Sequence, residues 1–127
     1  MVNNYEIYLG NSIIEAIEKE LKNKQYNWYK ESRVEQEDGT WKEINYFLSE
    51  DYLLIVKTDK DKCIMKKINI SQIGKVEKEY NFVEDFGIKT ALLRVSINVG
   101  DEVIILERPI YNENGDIKGF ENLAELL

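Results

Sequence analysis

The chain has 127 residues, 43% hydrophobic and 11% aromatic, which suits one domain burying roughly two thirds of the surface its unfolded chain exposes and excludes a disordered polymer. A net charge of −7, from 24 acidic and 17 basic residues, argues against nucleic acid or anionic lipid as a partner, because affinity for phosphates needs clustered Lys and Arg. There is no histidine and a single cysteine, Cys63, which excludes Ser-His-Asp and Cys-His nucleophiles, imidazole zinc sites and an internal disulfide.

The opening MVNNYEIYLGNSII has no basic segment followed by a long apolar run, and no stretch of about 18 apolar residues occurs anywhere. A cytoplasmic protein without stable membrane insertion is expected. Ser12 and Glu15 form a capping box, and Ile13, Ile17 and Leu21 follow as one apolar stripe with Ile14 beside it. Glu15/Lys19, Glu18/Lys22 and Glu20/Lys24 are i,i+4 pairs on the other face. These features predict an amphipathic helix over 12–24.

From Tyr26 to Arg108 the apolar period becomes two and turn residues recur every eight to twelve positions, as in an antiparallel barrel or sandwich. Strands are predicted near 26–35, 41–48, 51–58, 62–69, 74–82, 89–98 and 102–108. Asp38-Gly39 and Gly100-Asp101 supply hairpin turns. Residues 57–67 hold five lysines against Asp59 and Asp61, which reads as a solvated hairpin whose lysines discourage edge pairing. Cys63 sits in a strand-like stretch and is expected to be a reduced thiol.

In Ile68 to Tyr80, Ile68, Ile70 and Ile73 are expected core anchors, Ser71-Gln72 a corner and Gly74 the point where the chain turns into the next strand. Lys75, Glu77 and Glu79 alternate with Val76 as a half-exposed strand requires. Leu93, Val95, Ile97 and Val99 share one face of the sixth strand. Val103 to Leu106 is apolar on both faces, so cover on both sides is expected. Pro109, the only proline, ends that strand. Phe120, Leu123, Ala124 and Leu127 then predict a C-terminal helix over 119–127 that plugs the sheet.

"YFLSEDYLLIVK", "IMKKINISQIGKVEKEY", "LLRVSINVGDEVIILERP" and "FENLAELL" together resemble the bacterial and GRAM-like members of the pleckstrin-homology-like superfold. The resemblance covers residues 26–127 and implies a mainly β (α+β) single domain: a seven-stranded antiparallel barrel or sandwich with a C-terminal capping helix, here with an extra N-terminal helix. A lipid-binding member would carry basic residues around its first hairpin. Glu35, Glu37 and Asp38 stand there instead, which argues against phosphoinositide.

Gly115 and Glu121 have the glycine-to-glutamate spacing of a calcium loop, but Ile110 occupies the first ligand position after Pro109, so no metal is expected. No phosphate-cradling glycine loop is present, and Glu84-Asp85 reads as exposed loop carboxylates rather than an acid–base pair. No catalytic residue and no cofactor emerge.

Tyr26, Trp28, Tyr29, Trp41, Tyr46 and Phe47 surround the first hairpin and read first as core or cross-strand pairs, but alternation sends Trp28 and Tyr29 to opposite faces, so that one of them could stand exposed and anchor a partner. The expected function is therefore a non-catalytic module binding a protein or peptide through Trp28, Tyr29, Glu35, Glu37, Asp38 and Trp41, or through the N-terminal helix. The alternative is an acidic inhibitor or immunity-type protein that blocks a basic site, for which the Ile, Lys, Asn and Glu richness suits a bacterial or phage source. An edge strand could also pair with a second copy, giving a homo-oligomer.

Overall fold

The computed structural model describes residues 11–34, 41–58, 62–84, 88–110 and 115–127. In chain order these form α1 (Asn11–Leu21), β1 (Asn27–Val34), β2 (Trp41–Leu48), β3 (Tyr52–Thr58), β4 (Cys63–Asn69), a single 3₁₀ turn (Ile70–Gln72), β5 (Ile73–Glu84), β6 (Ile88–Val99), β7 (Glu102–Glu107) and α2 (Asp116–Glu125). The seven strands make two separate antiparallel sheets, β1-β2-β3-β4 and β5-β6-β7. Among the described residues this is a sandwich, not a closed barrel.

The inner faces of the sheets meet in one core. Tyr46, Leu53 and Ile55 come from the first sheet, Val95, Ile97 and Leu106 from the second, and Phe120 and Leu123 from α2. A second cluster lies on the outer face of the first sheet, where Ile17 and Leu21 of α1 cover Phe47, Leu54 and Val56. Full burial of each such side chain contributes about 1.5–3 kcal/mol. The N-terminal helix is therefore a structural cover, and the middle strands β2 and β3, buried from Ile44 through Leu48 and from Tyr52 through Val56, are the strands sheltered on both sides.

That shelter was expected for β7, and the difference has a topological cause. β7 is an edge strand, so Leu106 points into the core while Val103 and Ile105 stand 57% and 43% exposed on the outer face. α2 does not cover them, because it lies along the open edge of β1 in the other sheet. The Lys30 amide of β1 donates to the Asp116 carboxylate at 3.1 Å, and Gly119 approaches the Trp28 carbonyl so closely that a Cβ there would stand 2.5 Å from that oxygen. A helix bearing a side chain at 119 could not sit so close.

Three local expectations shift. Asn11 is already helical in α1, so Ser12 lies within the helix and is not its cap. The helix stops at Leu21 because Asn23 takes a left-handed φ of 61°, which asparagine tolerates; the Lys24 amide then bonds the Leu21 carbonyl. On β6 the inward residue is Leu92 rather than Leu93, because the register slips where Glu79 faces Arg94 but Tyr80 faces Leu92. Such a bulge inserts one residue and reverses the faces beyond it.

The stretch from Ile68 is a corner, as expected: Ile68 is buried and Ile70 and Ile73 pack against the core. Gly74 lies within β5, at an irregularity between Ile73 and Val76, and not at a turn. Gly100 and Gly115 do take positive φ, 60° and 72°, at the β6–β7 turn and the start of α2.

Candidate functional site

Of the residues expected to bind a partner, Trp28 and Tyr29 are turned to opposite faces of β1. Tyr29 is 0% exposed; its ring stacks on Tyr46 at 4.8 Å and meets Phe120 edge-on at 5.3 Å. It is a core residue, and its assignment to a docking surface is corrected. Alternation does send Trp28 and Tyr29 to opposite faces, and Tyr29 takes the one between the sheets. Trp28, on the opposite face, is half-buried, stacks on Phe47 at 6.4 Å and donates its indole N–H to Asn45 Oδ1 at 2.9 Å. Its main contacts are internal. Trp41 opens β2 opposite Val34, while Glu35, Glu37 and Asp38 lie outside the described residues.

A concave site does form at one end of the sandwich, where residues 24–27 lead from α1 into β1. The β2–β3 turn at 48–50, Ile70 of the 3₁₀ turn and Leu126 after α2 complete an open cleft of about 720 Å³. Leu48, Tyr26, Ile70 and Leu126 supply apolar surface, and Leu126 is 63% exposed. Gln25, Asn27 and Ser49 supply neutral polar groups, with Lys24 and Glu50 as one cation and one anion.

Two walls of this cleft are held by hydrogen bonds. Ser49 Oγ accepts from the Tyr52 amide at 3.3 Å and donates to the Tyr52 carbonyl at 3.1 Å. The Ile70 amide donates to the Asp51 carbonyl at 3.0 Å, tying the 3₁₀ turn to the β2–β3 turn. Within the 3₁₀ turn, the Asn69 amide donates to Gln72 Oε1 at 3.0 Å. Lys24 bonds Asp51, and that hydrogen bond, the largest influence, raises the Lys24 ammonium above its ordinary pKa. Residues this far apart in sequence gave no common signal; only the Ile70 corner was visible.

Several surface charges are paired across elements. Lys67 meets Glu20 at 3.2 Å, Lys66 meets Glu102, and Arg94 lies between Glu79 and Glu107. The lysine-rich segment is thus partly neutralised by α1 and β7, and Lys67 also lies 4.4 Å from the Tyr52 ring centre. Cys63 is half-buried beside the α1 cluster, and burial pushes its thiol pKa up. Among the described residues no trio of Cys, Asp or Glu could hold a metal, and no helix is long and apolar enough to cross a membrane.

Comparison with protein-family models, curated proteins and solved structures finds no match to this chain.

Proposed function

We propose that this chain is a non-catalytic interaction module of the pleckstrin-homology-like kind that binds a protein or peptide segment in the end cleft. The four-plus-three strand arrangement with its C-terminal helix supports the fold part of this reading. The cleft carries the functional part. An extended segment would lay an apolar side chain over Leu48, Ile70 and Leu126, while Gln25 and Asn27 can each donate to and accept from its main chain. Pockets that are mostly apolar with a few convergent polar groups are the usual form of a binding site. The pinned turns beside it lower the ordering cost of binding.

Selection of random peptides against the chain tests this. Enriched sequences should share one aliphatic or aromatic anchor, and their affinity should fall at least about tenfold, or 1.4 kcal/mol, in Leu126→Lys. Binding should change little between low and high salt, because the cleft holds one charge of each sign. Binding that collapses with salt would point instead to acidic mimicry of a basic site. No enrichment, or affinity indifferent to Leu126→Lys, overturns the reading.

A further inference from the structure

Most of the described strand edges are guarded by a helix, by charges or by a bulge. α2 covers the free edge of β1 through Asp116 and Gly119. β4 carries Lys66 and Lys67, and β5 carries Lys75, Glu77, Lys78 and Glu79 with irregularities after Ile73 and after Glu79, beyond which Tyr80 and Phe82 stand 54% and 71% exposed. Charges and bulges of this kind are how natural sheets discourage edge-to-edge pairing. β7 has neither: between Glu102 and Glu107 it reads Val103-Ile104-Ile105-Leu106, in unbroken register with β6.

The hydrogen-bonding groups on that edge can be assigned. The Arg108 amide donates to the Leu93 carbonyl of β6 at 2.8 Å. Antiparallel alternation therefore turns the N–H and C=O of residues 107, 105 and 103 away from β6. The Glu107 amide does face the other way, toward Glu31 Oε2 at 3.5 Å. Val103 and Ile105 thus present two donors and two acceptors outward, beside two exposed apolar side chains. A single residue separates them.

We infer that β7 pairs antiparallel with β7 of a second copy, about a two-fold axis at Ile104, to form a continuous six-stranded sheet. In this register Val103 of one copy faces Ile105 of the other. All four outward groups of each chain find partners, and on the outer face apolar meets apolar. Glu102 falls opposite Leu106, while at each margin Glu107 falls opposite Asp101 of the other copy, a like-charge pair that weakens the contact without entering the apolar centre. Pairing of β7 with itself needs no second kind of strand, because the register that gives every outward donor an acceptor also sets Val103 against Ile105; the exposed end of β5, Tyr80 and Phe82, lies beyond a bulge, which twists an edge away from such pairing. The pairing is isologous and uses that edge on both copies, so assembly stops at two. A short edge contact is small for a permanent interface, and the dimer is correspondingly weak and concentration-dependent.

Sedimentation velocity on the whole chain, from about 1 μM to about 1 mM, tests this. The wild type should shift from monomer to dimer across that range. Ile105→Lys, or Val103→Lys should the first fold poorly, should remain monomeric with its thermal transition retained. In a Cys63→Ser background, Ile104→Cys should cross-link to itself on mild oxidation, because residues at the axis are adjacent, while Asp101→Cys should not. A wild type that stays monomeric, a dimer that survives both lysine variants, growth beyond two copies, or cross-linking at 101 rather than 104 overturns the inference.

Discussion

At the scale of single residues, the least replaceable position is one without a side chain. Gly119 lies where a Cβ would stand 2.5 Å from the Trp28 carbonyl oxygen and 3.0 Å from Tyr29 Cβ. Both neighbours belong to a strand locked into its sheet, so neither can swing aside. Overpacking costs about 1–3 kcal/mol, against about 1 kcal/mol that alanine gains over glycine in helix propensity. Gly119→Ala should therefore lower the urea midpoint, even though the same change at an open helical site would raise it. The thiol gives a second prediction at this scale. Burial raises the Cys63 pKa, so the neutral thiol is favoured in the folded chain. The resulting stabilisation is complete below the ordinary thiol range and is lost as pH rises through the raised value. Alkylation by iodoacetamide should reach half its maximal rate at a higher pH than in urea-unfolded chain; identical profiles would show that the thiol is not shielded.

At the scale of elements, α1 shows how far periodicity reaches. The stripe Ile13, Ile17, Leu21 made the helix and its apolar face visible, and those residues do pack inward. What the face packs against was not visible, because it depends on which strand is central. The run Tyr52-Leu53-Leu54-Ile55-Val56 signalled two-sided burial as plainly as Val103 to Leu106 did, and only pairing order separates a middle strand from an edge. The bulge that exchanges Leu93 for Leu92 was likewise hidden, since one added residue leaves no mark on composition. Tyr52 joins α1 to the sheet: its hydroxyl donates to the Glu20 carbonyl, one of the last four carbonyls a helix cannot satisfy itself. Tyr52→Phe removes that bond at a cost of about 1 kcal/mol. Loss at the helix end should speed amide hydrogen exchange in α1 several-fold while leaving the β6 amides unchanged; equal acceleration in both would mean that α1 opens only with the whole domain.

At the scale of the whole molecule, the fold is two sheets that meet along a shared core but leave their edge strands to be managed separately. The seven strands and the terminal helix were legible because turn residues and apolar alternation are local. The candidate cleft was not, since Lys24, Glu50, Ile70 and Leu126 are joined only by the closed fold. α2 has two tasks here: Phe120, Leu123 and Ala124 complete the core, and Asp116 with Gly119 occupies the β1 edge. These can be separated by substitution. Asp116→Ala leaves the apolar face of α2 intact but strands the Lys30 amide, a buried donor whose loss of partner costs about 1–3 kcal/mol. Phe120→Ala removes a large core side chain at about 3–5 kcal/mol and loosens the helix from the strand as a whole. Asp116→Ala should therefore melt at a lower temperature yet remain in solution, whereas Phe120→Ala should also aggregate through the uncovered β1 edge, seen as thioflavin-positive sediment below its own melting temperature. The stronger the uncovering, the more the aggregate should resist dilution, since a long unpaired strand templates further pairing. Equal solubility of the two variants across a temperature series would show that α2 stabilises the core without guarding the edge.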